Sequence, residues 1–131
     1  MRLALLICAS WLAQDTQVLQ ETLPDGTRVE REVVVTPGAD PVNDGSYLEF
    51  WPDGTPRTEG RFDHGQRVGA WKTWYPSGAQ ASTGSYRRGL RNGVWNAWRE
   101  DGSPDETWSG TFEPFELDWR KDVPRTRGET R

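Results

Sequence analysis

Cysteine, histidine and methionine each occur once in this chain of 131 residues, as Cys8, His64 and Met1. One cysteine excludes an internal disulfide framework. One histidine, set in the Asp63-His64-Gly65 turn, leaves a metal cluster or a histidine-based triad without partners. Aliphatic side chains are scarce too: from Asp15 onward there are eighteen Val, Leu or Phe residues and neither Ile nor Met. With a formal net charge of -4, such a composition is compatible with disorder. The acidic balance also excludes the broad basic footprint of a general nucleic-acid binder. No set of nucleophile, base and metal ligands is visible, so the expectation is a non-catalytic module without cofactor or metal.

Aromatic residues are present in quantity, and they overturn disorder. Fourteen Trp, Tyr and Phe residues fall between Tyr47 and Trp119. They are periodic. Gly45, Gly69 and Gly93 are 24 residues apart, and Tyr47, Trp71 and Trp95 keep step with them. So do Phe50, Trp74 and Trp98, and the turn glycines Gly54, Gly78 and Gly102. Self-similarity at this period marks a repeat architecture. In the third copy Gly110 and Phe112 stand two places late, as if two residues were inserted.

Each unit has the form of a β-hairpin, with a P-D-G-T or P-S-G-A turn between two short runs. Centring the first turn on Asp53-Gly54 puts Tyr47 opposite Gly60 and Gly45 opposite Phe62. The same reasoning puts Trp71 opposite Gly84 and Gly69 opposite Tyr86. Each glycine then leaves room for the ring facing it. A return loop at residues 65–68 would bring Phe62 opposite Trp71 and Tyr86 opposite Trp95. One face thus carries the row Tyr47, Phe62, Trp71, Tyr86, Trp95 and Phe112. Alternation sends Phe50, Trp74 and Trp98 to the other face, with Arg57 and Ala81 opposite the first two.

The pattern G-x-W-x-x-W-x-x-x-G followed by G-x-Y-x-x-G, seen from Gly69 to Gly89, resembles the MORN repeat in the variant form of bacterial antitoxin-like proteins. The resemblance covers Gly45 to about Phe112, with departures at Tyr47, at Arg99 and in the third unit's insertion. It implies an all-β fold, an elongated single-layered antiparallel meander. It also implies a scaffold or antitoxin-like role with a protein partner, and it brings no catalytic residues.

The remaining segments frame the repeats. Met1-Arg2 and the apolar run Leu3–Ala13, broken only by Ser10, read as a signal peptide over residues 1–13. Eleven residues are too few to span a bilayer as a helix. The expected location is therefore periplasmic, secreted or cell-surface, or cytoplasmic if the segment is not a signal. Residues 14–44 read as a degenerate cap hairpin and loop, with Asp25-Gly26 at the turn, Val18 opposite Val33 and Thr22 opposite Val29. Thr36 to Asp44 forms the loop. The repeat sheet then occupies 45–117, and 118–131 is a basic tail.

Two surfaces are candidates for binding. Phe50, Trp74 and Trp98, with Arg57 and Lys72 beside them, form an aromatic patch suited to a protein partner. The alternative is a glycan or a lipid headgroup, to which exposed Trp rings offer flat apolar faces. Arg87, Arg88 and Arg91, with no acid between Tyr86 and Arg99, form a candidate anion patch. Asp25, Asp53 and Asp101 precede turn glycines and serve the turns. Glu49 and Glu59 are diagonal neighbours in the expected register, without a cleft to raise a pKa.

Overall fold

The computed structural model describes residues 15–113, so the Leu3–Ala13 run, Cys8 and the basic tail lie outside the described residues. Eight strands follow one another: β1 (Asp15–Thr22), β2 (Arg28–Val35), β3 (Val42–Phe50), β4 (Pro56–Asp63), β5 (Gln66–Trp74), β6 (Gln80–Arg87), β7 (Leu90–Ala97) and β8 (Gly110–Phe112). They form one antiparallel sheet in sequence order, and no helix occurs among the described residues. The all-β hairpin meander expected from the repeats is the fold.

Two kinds of turn alternate. Gly54 N–H donates to the Trp51 carbonyl at 2.8 Å and Trp51 N–H to the Thr55 carbonyl at 2.8 Å. This is a three-residue loop, a type I turn closed by glycine at φ 87°. Residues 23–27, 75–79 and 99–103 repeat its hydrogen bonds. Asp53 accepts from the Thr55 N–H and hydroxyl, and Asp101 does the same for Ser103. The return connections are two-residue turns, His64-Gly65 and Arg88-Gly89, with positive φ at all four residues. That is the type I′ geometry whose twist matches the strands.

The register within the repeats agrees with the sequence: Gly45 pairs with Phe62, Tyr47 with Gly60, Gly69 with Tyr86 and Trp71 with Gly84. It does so through two features that offset each other. The three-residue loop sets Phe50 opposite Pro56, and an extra residue, Arg57, then shifts Glu49 opposite Thr58. Ala81 makes the same one-residue bulge between Trp74↔Gln80 and Thr73↔Ser82. Phe50 and Trp74 therefore face Pro56 and Gln80, and the expected partners Arg57 and Ala81 are the bulged residues. The cap hairpin lacks this bulge and keeps the loop's register throughout. Val33 accordingly pairs with Gln17 and Val29 with Glu21, one place away from the expected Val18 and Thr22.

The return loop also differs from expectation. β5 begins at Gln66, directly after the His64-Gly65 turn, and Phe62 pairs with Arg67. The surplus residues enter a bulge between Arg61↔Val68 and Glu59↔Lys72, with Gly69 at φ 65°. Gly93 at φ 69° does the same between β6 and β7, where Tyr86 pairs with Arg91 instead of Trp95. Gly45 takes this place between β2 and β3 at φ 121°. β3 consequently starts at Val42, so the loop before it is shorter than the expected Thr36–Asp44. The first glycine of each 24-residue unit is thus a bulge glycine, where a side chain would be strained.

A Cβ built on Gly60 would stand 2.2 Å from the Trp71 ring, and one on Gly84 2.1 Å from the Trp95 ring. Each glycine therefore makes room for the tryptophan of the following strand, not for Tyr47 or Trp71 of the preceding one. The bulge pulls the later ring back across its neighbour. Arg31, opposite Tyr47 in the cap, stands where the repeats have glycine.

The core is one face of a single layer. Trp71 is 3% exposed and Trp95 5%, and Val29, Val33, Ala97 and Thr27 are also buried. Ring centroids lie 5.3 Å apart for Tyr47–Phe62 and Phe62–Trp71, 5.7 Å for Trp71–Tyr86 and 5.0 Å for Tyr86–Trp95. All four contacts are edge-to-face, the favoured arrangement for ring quadrupoles. Burial comes from rings lying along the sheet over glycine backbone, shielded by lateral neighbours. The third unit absorbs its two-residue insertion between the Trp98–Pro104 bridge and the Trp95↔Gly110 pair. There the Ala97 N–H donates to the Ser109 hydroxyl at 2.9 Å.

Candidate binding surfaces

The strands give the two faces different characters. Tyr47 and Phe50 are three residues apart in β3, as are Trp71 and Trp74 in β5, so alternation sends them to opposite sides. Phe50, Trp74 and Trp98 are all half-buried, each next to a three-residue loop. The Arg28 guanidinium lies 4.6 Å from the Phe50 centroid and covers that ring. Lys72 is exposed on this second face and helps line a shallow depression of about 290 Å³ with Ser46, Glu59, Arg61 and Ala70. Val94, 63% exposed, extends the face toward β8.

Arg57 does not join this surface. As the bulged residue it turns to the core face, where its Nη1 donates to Thr27 Oγ1 at 2.8 Å. Its Nε lies 3.6 Å from Glu49, and its guanidinium stacks 4.5 Å from the Trp51 centroid. Glu49 also accepts from the Tyr47 hydroxyl at 2.6 Å and the Thr58 hydroxyl at 2.8 Å. Burial, then the hydrogen bond to Glu49, pushes the Tyr47 pKa up to about 12. Glu59 pairs with Leu48 and Lys72 on the second face, so the two carboxylates do not form a pair.

The anion patch is divided by the same alternation. Tyr86 and Arg91 pair on the core face, and Arg87 pairs with Leu90 on the other. Arg88 is a turn residue at φ 51°. Arg91 lies 4.7 Å from the Trp95 centroid, 5.2 Å from Phe112 and 5.8 Å from Trp108. Arg67 repeats this one unit earlier, 4.8 Å from Trp71 and 5.3 Å from Tyr86.

His64 Nδ1 is 2.6 Å from Asp63 and 3.9 Å from Asp44. The Asp63 hydrogen bond, then the two carboxylate charges, raise its pKa above the ordinary 6.5. These three side chains could each offer a metal one ligand atom. Asp63 and His64 are exposed and Asp44 is half-buried, and the existing imidazole–carboxylate contact makes them a braced turn.

Sequence reasoning missed the links between repeats. Trp51 Nε1 donates to the Trp74 carbonyl at 3.2 Å, and the Tyr75 hydroxyl to the Trp98 carbonyl at 2.8 Å. Donors and acceptors are both 24 residues apart, as are Arg67 and Arg91. The period itself was the available signal. No family model and no curated protein matches this chain.

Proposed function

We propose that this chain is a non-catalytic hairpin-repeat module of the MORN kind that binds a protein partner through the face carrying Phe50, Trp74 and Trp98. The observation that carries this reading is a regular ring array on the side of the sheet opposite the buried tryptophans. Trp74 and Trp98 recur at the repeat period, half-exposed, with Lys72 beside Trp74 as a polar contact. Large rings in such a setting supply much of the energy of protein interfaces. The guanidinium over Phe50 favours a protein partner over a glycan, which would need a bare ring face. The Leu3–Ala13 run supports export.

Affinity capture with the full chain tests the reading against a Trp74→Ala/Trp98→Ala double variant. The partner should be lost by a variant whose unfolding curve remains cooperative. A partner retained equally by both chains would contradict it.

A further inference from the structure

β1 forms one edge of the sheet, and among the described residues it pairs with β2 alone. Sheets guard such an edge with proline, lysine, a bulge or a very short strand. β1 has none of these. Its eight residues include neither proline nor lysine, and its ladder with β2 runs without a bulge. Every ladder from β2–β3 to β6–β7 is interrupted by one. The opposite edge, β8, is only three residues long.

Alternation decides which backbone groups of β1 are left over. Leu23 N–H donates to the Thr27 carbonyl at the end of this hairpin. In an antiparallel ladder every second residue turns its N–H and C=O toward the partner strand. Gln17, Leu19 and Glu21 therefore bond to β2, and Thr16, Val18, Gln20 and Thr22 turn these groups outward. The side chains sort in the same way. Gln17, Leu19 and Glu21 stand opposite Val33, Arg31 and Val29, on the face of the buried valines. Val18 and Gln20 stand opposite Glu32 and Glu30 on the other face. Leu19 is half-buried, and the rest of β1 is exposed.

This edge is complementary to itself in one register. A two-fold axis normal to the sheet sets β1 antiparallel to β1 of another copy and keeps the two core faces on one side. With the axis at Leu19, Val18 faces Gln20, Gln17 faces Glu21 and Thr16 faces Thr22. Every outward N–H and C=O of the strand then has a partner. The two leucines meet at a non-hydrogen-bonded pair, where side chains approach most closely. Facing threonines, and an amide facing a carboxylate, can hydrogen-bond across the strands. Arg31, 3.6 Å from Glu21, already offsets that carboxylate's charge. Neighbouring registers are worse. An axis at Val18 sets Asp15 against Glu21 at both ends, and like charges directly opposite are destabilising. An axis at Gln20 sets Leu19 against Glu21 and carries Thr16 past the end of the partner strand.

We infer that β1 pairs with β1 of a second copy of this chain about an axis at Leu19, joining two sheets into one. The contact is separate from the face carrying Phe50, Trp74 and Trp98, so neither reading depends on the other.

Sedimentation velocity of the full chain, from about 1 to 500 μM, tests the inference. One strand edge is smaller than a standard protein interface, so the dimer should dissociate within that micromolar range. Val18→Pro removes an outward N–H and no hydrogen bond to β2, as proline on an edge strand allows. It should abolish the dimer while unfolding stays cooperative, and Trp74→Ala/Trp98→Ala should leave the dimer intact. Oxidative cross-linking in a Cys8→Ser background checks the register independently of the proline variant. Leu19→Cys should form a symmetric disulfide, because facing residues of a strand pair lie within disulfide reach. Gln17→Cys, which faces Glu21 of the other copy, should not. A monomer at all concentrations would overturn the inference. So would a dimer retained by folded Val18→Pro, cross-linking at Gln17→Cys in place of Leu19→Cys, or open-ended growth from β1 pairing with β8.

Discussion

Replacing Gly84 with alanine is the sharpest perturbation of the repeat. Gly84 has no positive φ, so alanine adds no backbone strain there. Its new methyl would instead lie 2.1, 2.3 and 2.6 Å from three Trp95 ring atoms. The ring has to move. It is held 5.0 Å from Tyr86, 4.7 Å from Arg91 and by a 2.9 Å hydrogen bond from Nε1 to the Ser85 carbonyl. Overpacking costs about 1–3 kcal/mol, and loss of the aromatic pair and hydrogen bond adds about 0.5–1.5 kcal/mol each. Alanine recovers about 0.4–1 kcal/mol by restricting the unfolded chain. A net loss of about 2–4 kcal/mol is expected from these contributions, read as a lower midpoint in urea unfolding at unchanged slope. The partner is identified by a double-mutant cycle with Trp95→Leu. In that background Gly84→Ala should cost little or stabilise, because the indole is gone. An undiminished cost beside the smaller leucine side chain, or coupling to Trp71→Leu instead, would refute the geometry.

Other consequences are smaller and independent. Tyr47 ionises at about 12 in the folded chain against an ordinary 10.0. Its contribution to stability is complete below pH 10 and is lost as pH rises toward 12, so Tyr47→Phe should flatten the alkaline arm of a stability–pH profile. His64 titrates above 6.5, chiefly through its hydrogen bond to Asp63. Its stabilising contribution is present below pH 6.5 and disappears as pH rises through the folded-state pKa; an imidazole NMR titration at or below 6.5 would count against the braced turn. Tyr75→Phe removes the hydroxyl donated to Trp98 and should cost about 0.5–1.5 kcal/mol in urea unfolding. No loss would show that this link does not join the repeats.

The repeats were legible because turn chemistry and ring spacing are local. Pro52, Asp53 and Gly54 announce a hairpin, and the 24-residue period carries its register from unit to unit. The bulges were less legible. A one-residue bulge at Arg57 offsets the three-residue loop, so counting from a two-residue centre reached the right partners in the repeats and the wrong ones at Val33 and Val29. Gly45, Gly69 and Gly93 looked like strand glycines spared a side chain for a facing ring. Their positive φ instead marks where each unit takes up surplus residues. That difference moves Trp71 onto Gly60 and Trp95 onto Gly84. The ring row survived the error because Trp and Tyr side chains reach across a shifted register. Of the candidate site, the side of Phe50 and Trp74 followed from alternation, while Arg57 was misplaced because a bulged residue escapes it.

The proposed division between a face that builds and a face that binds is tested most directly by comparing Trp71→Ala with Trp74→Ala in urea unfolding. Trp71 is 3% exposed, contacts Tyr47, Phe62 and Tyr86, and donates to the Val68 carbonyl at 3.2 Å. Its truncation should cost about 3–5 kcal/mol, the range for a buried large aromatic side chain. Half-buried Trp74 should cost at most about 1–2 kcal/mol, since much of its apolar surface stays in water. Equal losses, or a larger loss for Trp74→Ala, would place the structural core on the face assigned here to binding.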